Sequence, residues 1–164
     1  MRRCFAEDLM IKIISGAQTG VDRAALDVAL DLNLSHGGWC PKGRLAEDGI
    51  IDAKYQLQET RSSNYNERTI ANIRDSDGTL IIIAYPANKI SGGTLLTLDE
   101  VQKQNKLWLL VNLLDAPEQK KTINWIQANA INVLNVAGPR ESQCPGIYEK
   151  AFSYLRISLQ ALSR

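Results

Sequence analysis

The chain has 164 residues, enough for one packed core and too few for two α/β units. Apolar residues make up 45% and charged residues 23%, a globular balance that argues against disorder. The formal net charge of +1 sets up no global field for nucleic acid or an anionic bilayer, so any basic residue that matters acts locally.

The N-terminus, Met1 to Asp8, carries charges without an apolar signal core behind them. Cys4, Cys40 and Cys144 are odd in number and widely spaced, which points to reduced thiols and a cytoplasmic protein. His36 is the lone histidine, so an all-protein zinc site is not expected; a metal would arrive with its ligand. The apolar runs Leu80 to Ala84 and Leu107 to Val111 are strand-length, far below the ~20 residues of a membrane span.

In chain order, a strand is predicted over Ile11–Ser15, followed by the turn Gly16-Ala17-Gln18-Thr19-Gly20. A helix follows over Val21–Asn33, with Val21, Ala24, Ala25, Val28, Ala29 and Leu32 on one face and Thr19 and Asp22 in capping-box-like spacing at its start. A second strand is predicted over His36–Cys40. The polar stretch from Pro41 to Ser63 is long for a connection, so it is functional or holds an edge strand, for which Tyr55–Thr60 is the candidate. Asn64 with Glu67 opens a helix through Asp75. Gly78–Tyr85 reads as a buried strand, Gly92–Asn105 as a helix, Leu107–Leu113 as a strand, Pro117–Asn129 as a helix and Asn132–Ala137 as the last strand. Pro145 suits the first turn of a closing helix that runs to Leu162. Continuous apolar strands alternating with helices predict an α/β, three-layer Rossmann-like sandwich: one domain over residues 1–164, its mostly parallel sheet having five or six strands.

Three turns that lead from strands toward helices, Gly16 to Gly20, Ser91-Gly92-Gly93-Thr94, and Gly138-Pro139-Arg140-Glu141-Ser142, should share one edge of such a sheet. Glycine admits close approach of backbone N–H groups, and a helix start offers free donors and partial positive charge, so together they suggest an anion cradle. Each turn alone is weak: Gly16 to Gly20 matches neither the dinucleotide fingerprint nor a P-loop, and glycine also serves a plain tight connection. Asp22, in the first helical turn, competes for the same amides. Arg140 is placed to grip a phosphate, with a solvated loop charge as the plain alternative. Arg68 opposes the dipole of its own helix, which hints at a partner, Glu67 and Asp75 being at hand. Lys42 and Arg44 either close over a ligand or are solvated; Trp39 either stacks on a ring or packs. Cys144 is read as capping or packing near the final helix.

The stretch Ile14 to Asp27 (ISGAQTGVDRAALD) resembles the opening motif of the family called putative molybdenum carrier proteins, circularly permuted YpsA-related members of the SLOG superfamily. The resemblance continues through Trp39 to Arg44, Ala46 to Gly49, Tyr55 to Thr60, Arg68-Thr69 with Asn72, Asp77 to Leu80, Ser91 to Thr94 with Thr97, Asn135 to Ser142, and Pro145 to Tyr148. It implies a Rossmann-like domain, a homo-oligomer, and a phosphate-bearing small molecule as partner; neither nucleic acid nor membrane is expected, on the charge and run lengths given above. The molybdenum cofactor, a phosphorylated pterin dithiolene, is the cargo implied by the family's name. On this resemblance the ligand-binding set is Gly16, Gln18, Thr19, Gly20, Arg68, Asn72, Ser91, Gly92, Gly93, Thr94, Thr97, Gly138, Pro139, Arg140 and Ser142. Ser91, Thr94, Thr97 and Ser142 would supply neutral hydrogen bonds, Arg140 and Arg68 charge, and Gln18 and Asn72 contacts to ring edges.

Related LOG phosphoribohydrolases use P-G-G-x-G-T-x-x-E to cleave a nucleoside monophosphate. Aligning Gly93-Thr94 on their G-T puts Lys89, Ile90 and Ser91 at P-G-G and Thr97 at the glutamate. Threonine does not act as an acid or base at neutral pH, so a non-catalytic carrier is the leading expectation. A nucleotide-derived ligand sensor, or a hydrolase in which Glu100 or Glu141 substitutes, is the alternative.

Overall fold

A computed structural model describes residues 11–163, so Cys4 and the Met1 to Asp8 segment lie outside the described residues. The first half contains β1 (Lys12–Ile14), α1 (Val21–Asp31), β2 (Ser35–Gly37), β3 (Trp39–Cys40), β4 (Leu45–Ala46), β5 (Gly49–Ile50), β6 (Gln58–Glu59) and α2 (Tyr65–Arg74). The second contains β7 (Gly78–Ile83), α3 (Gly92–Lys103), β8 (Leu107–Asn112), α4 (Lys121–Ala128), β9 (Val133–Ala137) and α5 (Ile147–Leu159). Five strands form a central sheet in the order β2-β1-β9-β7-β8, every neighbouring pair parallel.

All six residues of β7 are buried, because alternate side chains point to opposite faces and both faces are covered. Leu80 and Ile82 join Ile13, Val28, Ile126 and Leu155 in one core beneath α1, α4 and α5. Ile81 and Ile83 point the other way, toward the layer in which α3 meets β7 and packs on α2. Each such aliphatic side chain contributes roughly 1.5–3 kcal/mol through burial. The result is the three-layer Rossmann-like architecture expected from the apolar runs.

Local geometry departs from the expectation at four places. The strand expected over His36–Cys40 is two strands, broken at Gly38. That residue has φ +124°, and a Cβ there would lie 2.4 Å from the Ser15 carbonyl oxygen, so the chain turns closely over the end of β1. The candidate edge strand narrows to β6, which pairs in parallel with β3 in a separate ribbon instead of extending the sheet. The helix expected from Pro117 begins at Lys121: Ala116 takes a left-handed conformation, and a turn closed by the Lys121 N–H on the Glu118 carbonyl at 3.1 Å comes before the helix. Pro145 precedes the last helix, whose N-cap is Gly146 at φ +88°, and α5 gives way to a 3-10 turn over Gln160–Leu162.

Asp27 on α1 ties three segments together. One carboxylate oxygen accepts from the Tyr55 hydroxyl and the other from the Tyr148 hydroxyl of α5. Burial first, and then the bond to Asp27, pushes both phenols well above their ordinary range. Tyr148→Phe removes one charge-assisted bond while keeping the ring stacked on Phe152. Urea titration is expected to register a loss of about 1–2 kcal/mol, and an unchanged midpoint would show the bond to be energetically idle.

Candidate functional site

The strand order reverses where β9, last in the chain, inserts between β1 and β7, and a crevice is expected outside the carboxyl ends of those strands. A cleft of about 400 Å³ lies there. Two surface grooves elsewhere have about 400 and 470 Å³, so position and chemistry, not size, single this cleft out. Its walls are the turn after β1 (Gly16, Gln18), the start of α1 (Asp22), α2 (Arg68, Asn72), the start of α3 (Gly92, Gly93, Thr94, Thr97), and β9 with its following turn (Asn135, Gly138, Arg140).

Five residues of the expected binding set, Thr19, Gly20, Ser91, Pro139 and Ser142, do not line the cleft. Four of them fasten the first and third turns to each other. The Val21 N–H donates to the Pro139 carbonyl at 3.3 Å, and a Cβ on Gly20 would lie 2.4 Å from that same oxygen. The Thr19 hydroxyl donates to Glu47 and accepts from the Glu141 N–H, while Ser142 donates to Glu47 through both its N–H and its hydroxyl. Burial opposes the charge on Glu47, yet these hydroxyls outweigh it and hold the carboxyl below its usual range. Thr19 and Asp22 therefore form no capping box: the N-cap of α1 is Gly20, without a side-chain cap. Ser91 is the N-cap of α3 and also makes no side-chain cap bond.

Of the helix starts beside these turns, that of α5 is occupied by Glu141, whose carboxylate accepts from the N–H groups of Gly146 and Tyr148. The start of α3 has neither a side-chain cap nor an acidic residue in its first turn, and Gly92 at φ +57° brings bare backbone to the cleft. Thr97 donates its hydroxyl back to the Gly93 carbonyl at 2.9 Å, which secures this turn.

Arg68 crosses beneath the first turn. Its Nη1 donates to the Gly16 carbonyl at 2.9 Å, and a Cβ on Gly16 would come within 2.8 Å of the Arg68 side chain. The partner of Arg68 is neither Glu67 nor Asp75. Glu67 accepts from Arg61 and Ser62, and Asp75 holds Arg74 and the Trp39 indole. Arg68 instead lies 3.9 Å from Asp22, and each of these side chains is only 10% exposed. Burial pushes the Asp22 carboxyl up to about 6, against the opposing pull of Arg68, the Gln18 backbone N–H and Arg23. Asp22 thus lines the cleft as well as opening a helix, a role to which its local sequence pointed only as a competitor for amides.

Gln18 accepts from the N–H groups of Thr19 and Glu47 through Oε1, at 3.1 and 2.8 Å, and its buried Nε2 has no partner. Asn72, expected to read a ring, spends its amide on β3, accepting from the Trp39 N–H and donating to the Trp39 carbonyl. Asn135, absent from the expected set, lines the cleft from β9 and donates to the Thr79 hydroxyl. Its signal was a lone polar residue inside an apolar strand.

Arg140 stands at the cleft with Nε 3.7 Å from Glu47 and a side chain 36% exposed, so its guanidinium keeps donors for a ligand. Arg44 is committed to the carbonyls of Ile51, Asp52 and Tyr55, and Trp39 lies beside Arg74. Cys144 packs against the core, its thiol pushed up by burial, and Cys40 is also free. Among the described residues, no three His, Cys, Asp or Glu side chains are grouped to hold a metal, and no helix is long and apolar enough to cross a membrane.

A parallel sheet with helices on both faces and a polar cleft at its carboxyl edge defines a Rossmann-like protein. The model of the circularly permuted YpsA SLOG family matches residues 13–159, and the chain belongs to that family. A crystal structure of a putative molybdenum carrier protein from Syntrophus aciditrophicus SB is similar with a TM-score of 0.84 and 42% sequence identity, covering 93% of this chain and 96% of that one. No curated protein matches the chain.

Proposed function

We propose that this chain works as one ligand-binding domain that carries molybdenum cofactor, holding the phosphorylated pterin in the cleft without transforming it. The observation that carries the reading is an uncapped helix start, Gly92 to Thr94, sharing one cleft with the unpartnered amide of Gln18. The first suits a phosphate and the second a polar ring edge. Arg140 completes the anionic end with paired N–H donors. A volume of about 400 Å³ falls in the ordinary range for small-molecule sites, and the similar Syntrophus structure carries the carrier name.

Binding is favoured over hydrolysis because the two carboxylates expected to substitute are engaged elsewhere, which leaves Asp22 as the one carboxylate of the cleft wall, without a second to complete an acid–base pair. Glu141 caps α5, and Glu100 accepts from Gln104. The free thiols of Cys40 and Cys144 are in keeping with a reducing cytoplasm, and exposed Leu107 and Trp108 on the edge strand β8 with a homo-oligomer.

Native mass spectrometry of gently purified protein, with elemental analysis, tests the reading. A bound phosphorylated pterin with molybdenum in proportion is the expected result. A nucleotide mass without molybdenum would turn the protein into a sensor or, if free base is released from purine nucleoside monophosphates, a hydrolase. Arg140→Ala is expected to weaken binding of a phosphorylated ring about tenfold or more by calorimetry, and equal affinity would remove the arginine from the site.

A further inference from the structure

The same cleft contains two side chains with hydrogen-bonding capacity to spare. Asp22, a carboxyl residue of its wall, offers about four acceptor positions when ionised. The Gln18 backbone N–H takes up part of that capacity, and the nearest cation does not fill the rest: Arg68 Nη1 is 3.9 Å away, beyond hydrogen-bond reach, and donates to the Gly16 carbonyl. One turn earlier, Gln18 is 5% exposed, its Oε1 is held by two backbone N–H groups, and its Nε2 has no acceptor. A buried amide without a partner costs free energy, as does a buried carboxylate with acceptor positions open. A ligand that accepts once and donates twice along one edge offsets both costs.

We propose that Gln18 and Asp22 read the 2-amino-4-oxo edge of a fused pyrimidine ring, the ring carbonyl accepting from Gln18 Nε2 and the ring N–H and amino group donating to the Asp22 carboxylate. The inference rests on the cleft being the ligand site proposed above, and it specifies the ligand class as pterins and guanines. Adenine presents the opposite pattern at this edge, and hypoxanthine lacks the amino group. Ionised Asp22 accepts both donors at once, whereas the protonated carboxyl does not. The charged groups acting on Asp22 are Arg68 from α2 and Arg23 on α1, and arginine keeps its charge across the accessible range. Burial pushes the Asp22 carboxyl up to about 6, so recognition strengthens as pH rises through that value.

The test is calorimetric binding of guanosine, inosine and adenosine 5′-monophosphates and of 6-hydroxymethylpterin phosphate to the full chain at pH 5 and 7.5. Guanosine monophosphate is expected to bind about tenfold or more tightly than inosine monophosphate at pH 7.5, with the ratio shrinking at pH 5. The phosphate titrates alike in both nucleotides, so it cancels from the ratio. Asp22→Asn should bring the guanine ligand down to the inosine level while retaining phosphate-dependent binding. Tighter binding of the pterin than of guanosine monophosphate would name pterin as the natural source, and the reverse order guanine. Equal affinity of wild type for all three nucleotides would overturn the pairing while leaving the cleft a phosphate site. Failure of all four ligands to bind would sink both the site and the pairing. The wild-type comparison needs no variant, so it stands even if a substitution disturbs folding.

Discussion

Replacing Arg68 by methionine is expected to cost about 2–3 kcal/mol of stability at neutral pH, the sum of one released hydrogen bond and a lost attraction that Asp22, titrating at about 6, limits by taking up a proton. Arg68 and Asp22 are each 10% exposed and 3.9 Å apart, so the change leaves a carboxylate buried without its principal cation. It also frees the Gly16 carbonyl and removes the guanidinium from the face of Tyr65, 5.1 Å from its ring centre. Methionine keeps most of the aliphatic stem beneath Gly16, so packing changes little and the electrostatic loss dominates. Since the lost attraction acts only on ionised Asp22, the cost should be larger at pH 8 than at pH 5. Adding Asp22→Asn should recover much of it, a non-additivity that double-mutant analysis by urea unfolding would register. Equal losses at both pH values and strict additivity would show that Arg68 matters for packing alone.

Asp22→Asn by itself is expected to stabilise the ligand-free protein by roughly 1–3 kcal/mol at pH 7.5. The folded chain holds the Asp22 proton up to about pH 6, whereas an ordinary carboxyl releases it near 3.8. Between those values the folded state binds more protons than the unfolded state, so stability falls as pH rises through this window, by about 3 kcal/mol at most. Asparagine has the shape of the carboxyl without the charge, so its advantage should be full above pH 6 and vanish below about pH 4. Thermal unfolding of both proteins at pH 4 and 7.5 checks this, and a variant less stable at pH 7.5 would mean that the carboxylate is well satisfied without ligand. Such a cost is what the proposed reading of a ring edge by Asp22 entails, since binding sites trade stability for function.

Much of this protein was legible in its chain. The apolar runs placed β7 and β8 to within two residues at their ends: β7, buried on both faces, must be continuously apolar, and the edge strand β8 is apolar along its length although Leu107 and Trp108 stay exposed. Asn64 was recognisable as a cap, and its side chain does accept from the Asn66 N–H. The stretch from Pro41 to Ser63 was harder. Its strands β4, β5 and β6 are only two residues long, and β6 pairs with β3 just before the stretch, across the intervening loop, so no local periodicity marks them.

Within the candidate site, the residue types that line the cleft were visible because glycine at turns and arginine beside them carry their chemistry locally. Gly16, Gln18, Arg68, Gly92, Gly93, Thr94, Gly138 and Arg140 do line it. Which turns remain open was decided by contacts between distant parts of the chain. Glu47 closes the first turn onto the third by accepting from residues 28 and 95 positions away, and Arg68 finds Gly16 across 52 positions. The sequence by itself determined the alternating strands and helices, the glycine-rich turns and the family, since periodicity, backbone freedom and motif order are local properties. Only the tertiary structure decided that α3 keeps its helix start uncapped, that Asp22 is buried beside Arg68, and that Gln18 has an amide to spare, because burial and hydrogen-bond satisfaction exist only once remote segments meet.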